Sequence, residues 1–283
     1  MKRTMRRQVA AVLAAWLGAP LASCGSAERT ITIGFEGRVA DRAFECGSNY
    51  DGVGRTGSTL TPLDLRFYVH DVRVVTADGE EHPLQLVDDG VWQNGGVAML
   101  DFETGGSCEG GNASTNRALV GTVPGGTGPV TGLRFRLGVP AARNHLDAAT
   151  APSPLNLTAM FWGWQAGYKY LRFEGRSTGQ PAGFRFHLGA TGCSGDARDG
   201  TRTCTAPNVP DIALDAFDPA RDVVVADLAG LFSTSDIDTD GGGSPGCMAD
   251  EGDPECAVLF EAVGLDATSS QSFFRAEPRT DVP

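Results

Sequence analysis

The chain of 283 residues is short of charge, of lysine and of histidine, and beyond its first two dozen residues it has no long apolar run. Charged residues make up 20% and hydrophobic residues 41%, which allows a packed core and argues against disorder throughout. The formal net charge is −12 and the pI is about 4.7, so the basic face that nucleic acid demands is lacking and nucleic acid is not an expected partner. Lysine occurs only at Lys2 and Lys169, the other cations being arginine. There is no GxSxG, no P-loop and no HExxH, which removes the most legible hydrolase, nucleotide and zinc-protease signatures. No two cysteines form a CxxC pair, which counts against a zinc or dithiol redox site. Helical periodicity is scarce, Val223–Phe232 being the best short-helix candidate. No internal repeat and no central linker breaks the chain.

The N-terminus carries a different kind of signal. Lys2, Arg3, Arg6 and Arg7 form a basic head, and Val9 to Leu21 is apolar but too short to span a bilayer comfortably. It ends in Leu21-Ala22-Ser23-Cys24, which has the form of a bacterial lipobox. Residues 1–23 therefore read as a lipoprotein signal peptide and Cys24 as the lipidated mature N-terminus. The competing reading is an ordinary secretory signal with a chance cysteine. The lipid reading also accounts for an odd total of 7 cysteines. Residues 1–23 hold four basic and no acidic residues, so the remaining 260 carry a formal charge of −16. No other run is long enough to span, and the membrane is expected to be reached through a lipid only.

Six cysteines remain: Cys46, Cys108, Cys193, Cys204, Cys247 and Cys256. An even number outside the cytoplasm reads as disulfides, with about fifteen pairings open. Short loops suggest Cys193–Cys204 and Cys247–Cys256, which leaves Cys46–Cys108. Residues 24–30 look like a tether. From there period-two alternation dominates: Ile31, Ile33 and Phe35; Leu63, Leu65, Phe67 and Val69; Leu133, Phe135 and Leu137; Phe184, Phe186 and Leu188. Such alternation predicts strands with one wet face. The expected fold is all-β, a single antiparallel β-sandwich-like domain over 31–267 with long disulfide-stapled loops. A polar tail, 268–283, is expected to be poorly ordered.

Four histidines can be taken singly. His145 lies in the loop Arg143-Asn144-His145-Leu146-Asp147. His187 and His70 sit on the less apolar faces of strands, and His82 in an exposed turn. Imidazole suits copper, zinc, iron and nickel, but the sequence does not show whether the rings converge. The strongest local signal is Met160–Tyr170. On a continuous strand, Met160, Trp162, Trp164, Tyr168 and Tyr170 would share a face, the two indoles roughly 6.5–7 Å apart. An aromatic core layer, a sugar-stacking platform and a redox-active Trp pair beside a metal all fit, and composition favours the core layer. The loop Asp236-Ile237-Asp238-Thr239-Asp240-Gly241-Gly242 imitates the start of a calcium loop, but Cys247 stands where the bidentate ligand belongs. Calcium is thus a secondary expectation at most.

The order of segments resembles a bacterial family, the metallo-mystery pair system four-Cys motif proteins, also called MbnP-like. The matching stretches are Asp64–Val74, Val97–Glu103, Leu137–Val139, Asn144–Asp147, Ala149–Leu157, Met160–Arg172, Phe186–Cys193, Gly246–Met248 and Asp253–Cys256. The resemblance covers roughly Thr30 to Leu265. Cys193, Cys204, Cys247 and Cys256 look like the four cysteines of the family name, with Cys46 and Cys108 as a third bridge. The resemblance implies a copper-handling protein on the periplasmic or surface side, and with the lipobox the expected place is a lipid anchor in the outer membrane of a Gram-negative cell. It implies a copper(I) site using His145 and His187. His70 is a less secure third ligand, because many relatives carry another residue there. It further implies a di-haem partner similar to MauG and bacterial cytochrome c peroxidases (MbnH-like), which oxidises a tryptophan to kynurenine. Trp162 and Trp164 are the candidates, Trp92 a weaker one. On this reading the chain acts in copper homeostasis and is a substrate rather than an enzyme. The alternatives are a sugar- or ligand-binding lipoprotein using the Trp pair as a platform, and a three-His metalloenzyme with Asp147 as base.

Overall fold

The structure, a computed structural model, describes residues 27–109, 111, 114–163, 165–197, 201–250, 252–266 and 270–280. The expected signal segment 1–23, Cys24, Trp164 and the ends of the expected tail lie outside the described residues.

Strands account for 44% of the chain and helix for 6%, the all-β fold that the alternation calls for. One sheet centres on Glu28–Val39. It pairs with Ala118–Pro124 on one side and with Asp222–Asp227 on the other. Phe274–Pro278 extends that sheet beyond Asp222–Asp227. The second sheet is organised by one 19-residue strand, Ser58–Thr76. Along one edge it pairs with Leu171–Arg176 and then with Val130–Leu137; Val97–Asp101 lies along the other. Phe184–Leu188 continues the sheet beyond Leu171–Arg176. Pairing is antiparallel except for Glu28–Val39 with Asp222–Asp227 and Phe184–Leu188 with Gly246–Cys247.

Between the sheets lies a phenylalanine-rich core. Phe35 meets Phe67 and Phe135 edge-on at 6.2 and 6.0 Å, and Phe274 meets Phe67 and Phe135 at 5.4 and 5.2 Å. The rings adopt the edge-to-face arrangement their quadrupoles favour. A second knot joins Phe173, Phe184 and Phe232. The three disulfides are Cys46–Cys108, Cys193–Cys204 and Cys247–Cys256, the pairing the short loops suggest.

Three expectations need correction. The supposed tail is not loose over 270–280: Phe273 and Phe274 are buried and Phe274–Pro278 is a sheet strand. A mostly polar window hid two adjacent rings that complete the core. Val223–Phe232 is not one helix. Its β-branched half forms the strand Asp222–Asp227, and only Leu228–Leu231 is helical, started by Asp227 accepting from the Ala229 N–H. Finally, the polar faces of the alternating strands are not uniformly wet. On Ser58–Thr76, Asp64, Arg66, Tyr68 and His70 are as buried as Leu65, Phe67 and Val69.

Candidate functional site

That second buried face is where the chemistry gathers. A loop-rich cover spanning 139–170 lies over it. Tyr68 and Tyr168, packed edge-on at 6.0 Å, donate their hydroxyls to the carbonyls of Pro154 and Leu155. Burial drives the Tyr168 phenol up to about 12, so these hydroxyls stay protonated and act as struts. Lys169 donates to the Ala159 carbonyl, and burial lowers its ammonium to about 8.

Beneath the cover runs a ladder of alternating acidic and basic side chains. Glu103 faces Arg66 at 3.0 Å, and Arg66 pairs with Asp64 at 2.5 Å. Asp64 also accepts from Arg172 at 2.8 Å, and Arg172 pairs with Glu174 at 3.0 Å. Glu174 ends the ladder on His187, its Oε1 lying 3.0 Å from Nε2. Cross-strand register explains the order, since Arg66 faces Arg172 and Arg172 faces His187. Burial pushes the Glu174 carboxyl up, but His187 and Arg172 outweigh it and hold the group down at about 2. Burial lowers the His187 imidazolium as well. The imidazole is therefore neutral near pH 7, and an ionised Glu174, which can only accept, fixes the proton on Nε2. Nδ1 is left as an acceptor, buried and with no hydrogen-bond partner.

Trp162 covers His187, the ring centroids 6.4 Å apart. Met160–Tyr170 is not the continuous strand expected. It is a tight hairpin, Phe161–Gly163 pairing with Gly167–Tyr168, and both glycines have left-handed φ, 151° and 87°. A side chain at Gly167 would also strike Asn144, whose Oδ1 accepts from the Tyr168 N–H at 3.0 Å. Asn144 thus ties the His145 loop to the Trp162 hairpin. The indole lies against Gly189, where any Cβ would collide with its ring. The same indole borders a cavity of about 360 Å³ shared with Ala190, Cys193, Arg202 and Met248. The Cys193–Cys204 disulfide in turn meets His145, whose Nε2 is 3.5 Å from Cys204 Sγ.

Trp162 thus stands beside His187 and the cavity that Cys193 lines, while Asn144 ties the His145 loop to the same hairpin. The structure does not bring His70 into this corner. His70 sits four residues, about 13 Å, along its strand from the row that carries His187, with Nδ1 at 2.8 Å from the Gly138 carbonyl. His82 lies on the short strand Glu81–Pro83, half-buried, rather than in a turn. Trp92 packs on the core from a turn held by Asp89. Asp147 caps its own loop through the Ala149 N–H. In the acidic loop, Asp238 takes hydrogen bonds from Thr56, Ser58 and Gly179, and Asp236 from the N–H groups of Asp238 and Thr239. Among the described residues no three of these carboxylates converge within 4.8 Å. Glu174 and Gly189 escaped the sequence reading, although both lie within or beside the matching stretches.

Fold and corner together define a disulfide-stapled β-sandwich with a histidine–tryptophan site on its covered second face. A family model described as MbnP matches residues 28–249, and the chain belongs to the MbnP family. Among solved structures, MbnP from Methylosinus trichosporium is similar, at 26% identity and a TM-score of 0.78, over 90% of this chain and 100% of that one. No curated protein matches the chain.

Proposed function

We propose that the chain is an exported copper(I)-binding protein, with His187 and His145 as ligands, and that a di-haem partner of the MauG and cytochrome c peroxidase kind oxidises its tryptophan to kynurenine. The observation that carries the metal half is the orphaned Nδ1 of His187. A metal-binding imidazole characteristically hands its other N–H to a carboxylate, as His187 does to Glu174. Membership of the MbnP family supports copper over other metals. Neutral imidazoles suit copper(I), which accepts low coordination numbers and brings a single positive charge. Bound there, copper would supply a soft, redox-capable cation beside an electron-rich indole.

This chain's residues do the rest. Glu174 fixes the tautomer and aims Nδ1, Gly189 seats Trp162 over His187, and Asn144 holds the His145 loop. Trp162 is the described tryptophan at the site, and Trp164 is the second candidate by sequence. The lipid on Cys24 would hold the domain at the outer membrane, and the chain is the partner's substrate rather than an enzyme.

Metal analysis of the exported, disulfide-intact protein tests the reading. Wild type should retain copper, His187→Ala should lose it, and Glu174→Gln should bind it about 10–100-fold more weakly. Peptide mapping after co-expression with the di-haem partner should find kynurenine at Trp162 or Trp164. Retention of copper by His187→Ala would sink the site.

A further inference from the structure

The three disulfides are not equivalent. Cys247 and Cys256 are fully buried, and Cys46 and Cys108 nearly so, whereas Cys193 and Cys204 are half-exposed. Their bridge joins directly opposed residues of a two-stranded hairpin, Thr191–Ser194 with Thr203–Ala206, that pairs with neither main sheet. Thiol–disulfide exchange depends on access to a sulfur, so this bridge is the one open to a dithiol. Beside it stands His145. Its ligand nitrogen and both cysteine sulfurs lie within 4.8 Å of one another, the one such His/Cys/Asp/Glu trio among the described residues. Met248 lines the same cavity as Cys193 and adds a soft thioether to its wall.

The geometry points to a second, redox-gated metal site: reduction of Cys193–Cys204 converts the trio His145, Cys193 and Cys204 into a nitrogen–two-sulfur site for a soft d10 cation, copper(I) foremost. Closed, the bridge offers only weak sulfur donors. A dithiol of the thiol–disulfide oxidoreductase class attacks one sulfur, forms a mixed disulfide and leaves as its own disulfide. Two electrons and two protons thereby reach Cys193 and Cys204. The cation then displaces the thiol protons to solvent, and the two thiolates and the imidazole share it. The main sheets do not depend on this hairpin, so the ligands can close on an ion without breaking the core. The inference shares His145 with the copper reading but does not need His187, and it is read in the reduced protein only.

The test uses the full exported chain, oxidised or treated anaerobically with a phosphine, and titrated with copper(I) against a chromophoric competitor. Alkylation mapping should find free thiols at Cys193 and Cys204 alone, with near-ultraviolet dichroism retained. The reduced protein should bind copper(I) with a thiolate-to-copper absorption band that the oxidised protein lacks. That band should disappear in the Cys193→Ser/Cys204→Ser variant, and the affinity read from it should weaken about tenfold or more in His145→Ala. The His187 site is scored separately, in the oxidised protein. Absence of the band from the reduced protein would overturn the inference. So would loss of the dichroism on reduction, or an unchanged reduced-state affinity in His145→Ala.

Discussion

Strand Ser58–Thr76 is buried on both faces by opposite means. On one side Leu65, Phe67 and Val69 enter a core of interlocked rings, where burial itself is favourable. On the other side Asp64 and Arg66 are equally shielded, but their burial is tolerable only because each charge is answered by the next. The first face can lose a methylene and relax. The second behaves as a unit, since removing one member strands its neighbours. The difference teaches where function can be placed. An apolar face has nothing to aim, whereas the end of a charge ladder can hold one imidazole in one tautomer and leave its other nitrogen open.

The sharpest way to break the comparison is to cut both faces at adjacent residues. Phe67→Ala should cost about 3–5 kcal/mol as a core cavity. Arg66→Met, although more apolar than the residue it replaces, should cost about 3–5 kcal/mol as well, because it leaves the buried Asp64 carboxylate without its closest cation. Chemical denaturation of both variants would check this. If hydrophobicity alone governed burial, Arg66→Met would be neutral or stabilising. A smaller effect is expected where the two kinds of packing meet. Gly189→Ala should force Trp162 off its seat, costing about 1–3 kcal/mol as overpacking and altering the indole's fluorescence. An unchanged spectrum would mean that the hairpin shifts as a body and that Gly189 does not seat the ring.

How much of this was legible differs by face. Alternation reveals Ile31, Ile33 and Phe35, or Leu133, Phe135 and Leu137, because core contact repeats with the strand's own period of two. It also marks Asp64 and Arg66 as a face apart, but it cannot show that a cover built from 139–170 closes over them. That closure depends on long-range partners such as the Tyr68 hydroxyl on the Pro154 carbonyl. The cysteine pairing was readable because two of its loops are short, spanning 11 and 9 residues of separation. The Trp162 hairpin was misread because two glycines with left-handed backbone reverse the chain within an otherwise strand-like run. His187 was visible as a histidine. Glu174, which gives it a role, is visible only through register.

The gentlest probe of the polar face changes how stability varies with pH. Burial, followed by the nearby Asp64 carboxylate, pushes the Glu103 carboxyl from its ordinary 4.5 up to about 9, against the pull of Arg66. Near neutral pH the folded protein therefore keeps a proton that the unfolded chain releases. Unfolding then frees a proton, so raising the pH favours the unfolded state throughout the window between those two values. Glu174, held at about 2, works with the opposite sign: its contribution is present above the ordinary carboxylate range and is lost as the pH falls toward 2. Glu103→Gln keeps a neutral, hydrogen-bonding side chain of similar shape but cannot ionise. Its melting temperature should match that of the wild type near pH 4.5, where Glu103 is protonated in the fold, and exceed it progressively toward pH 9. Taking the difference between the two proteins cancels the other titrating groups. Parallel curves across the whole range would mean that Glu103 is ionised in the fold, and that the ladder balances its charges one for one rather than by withholding one.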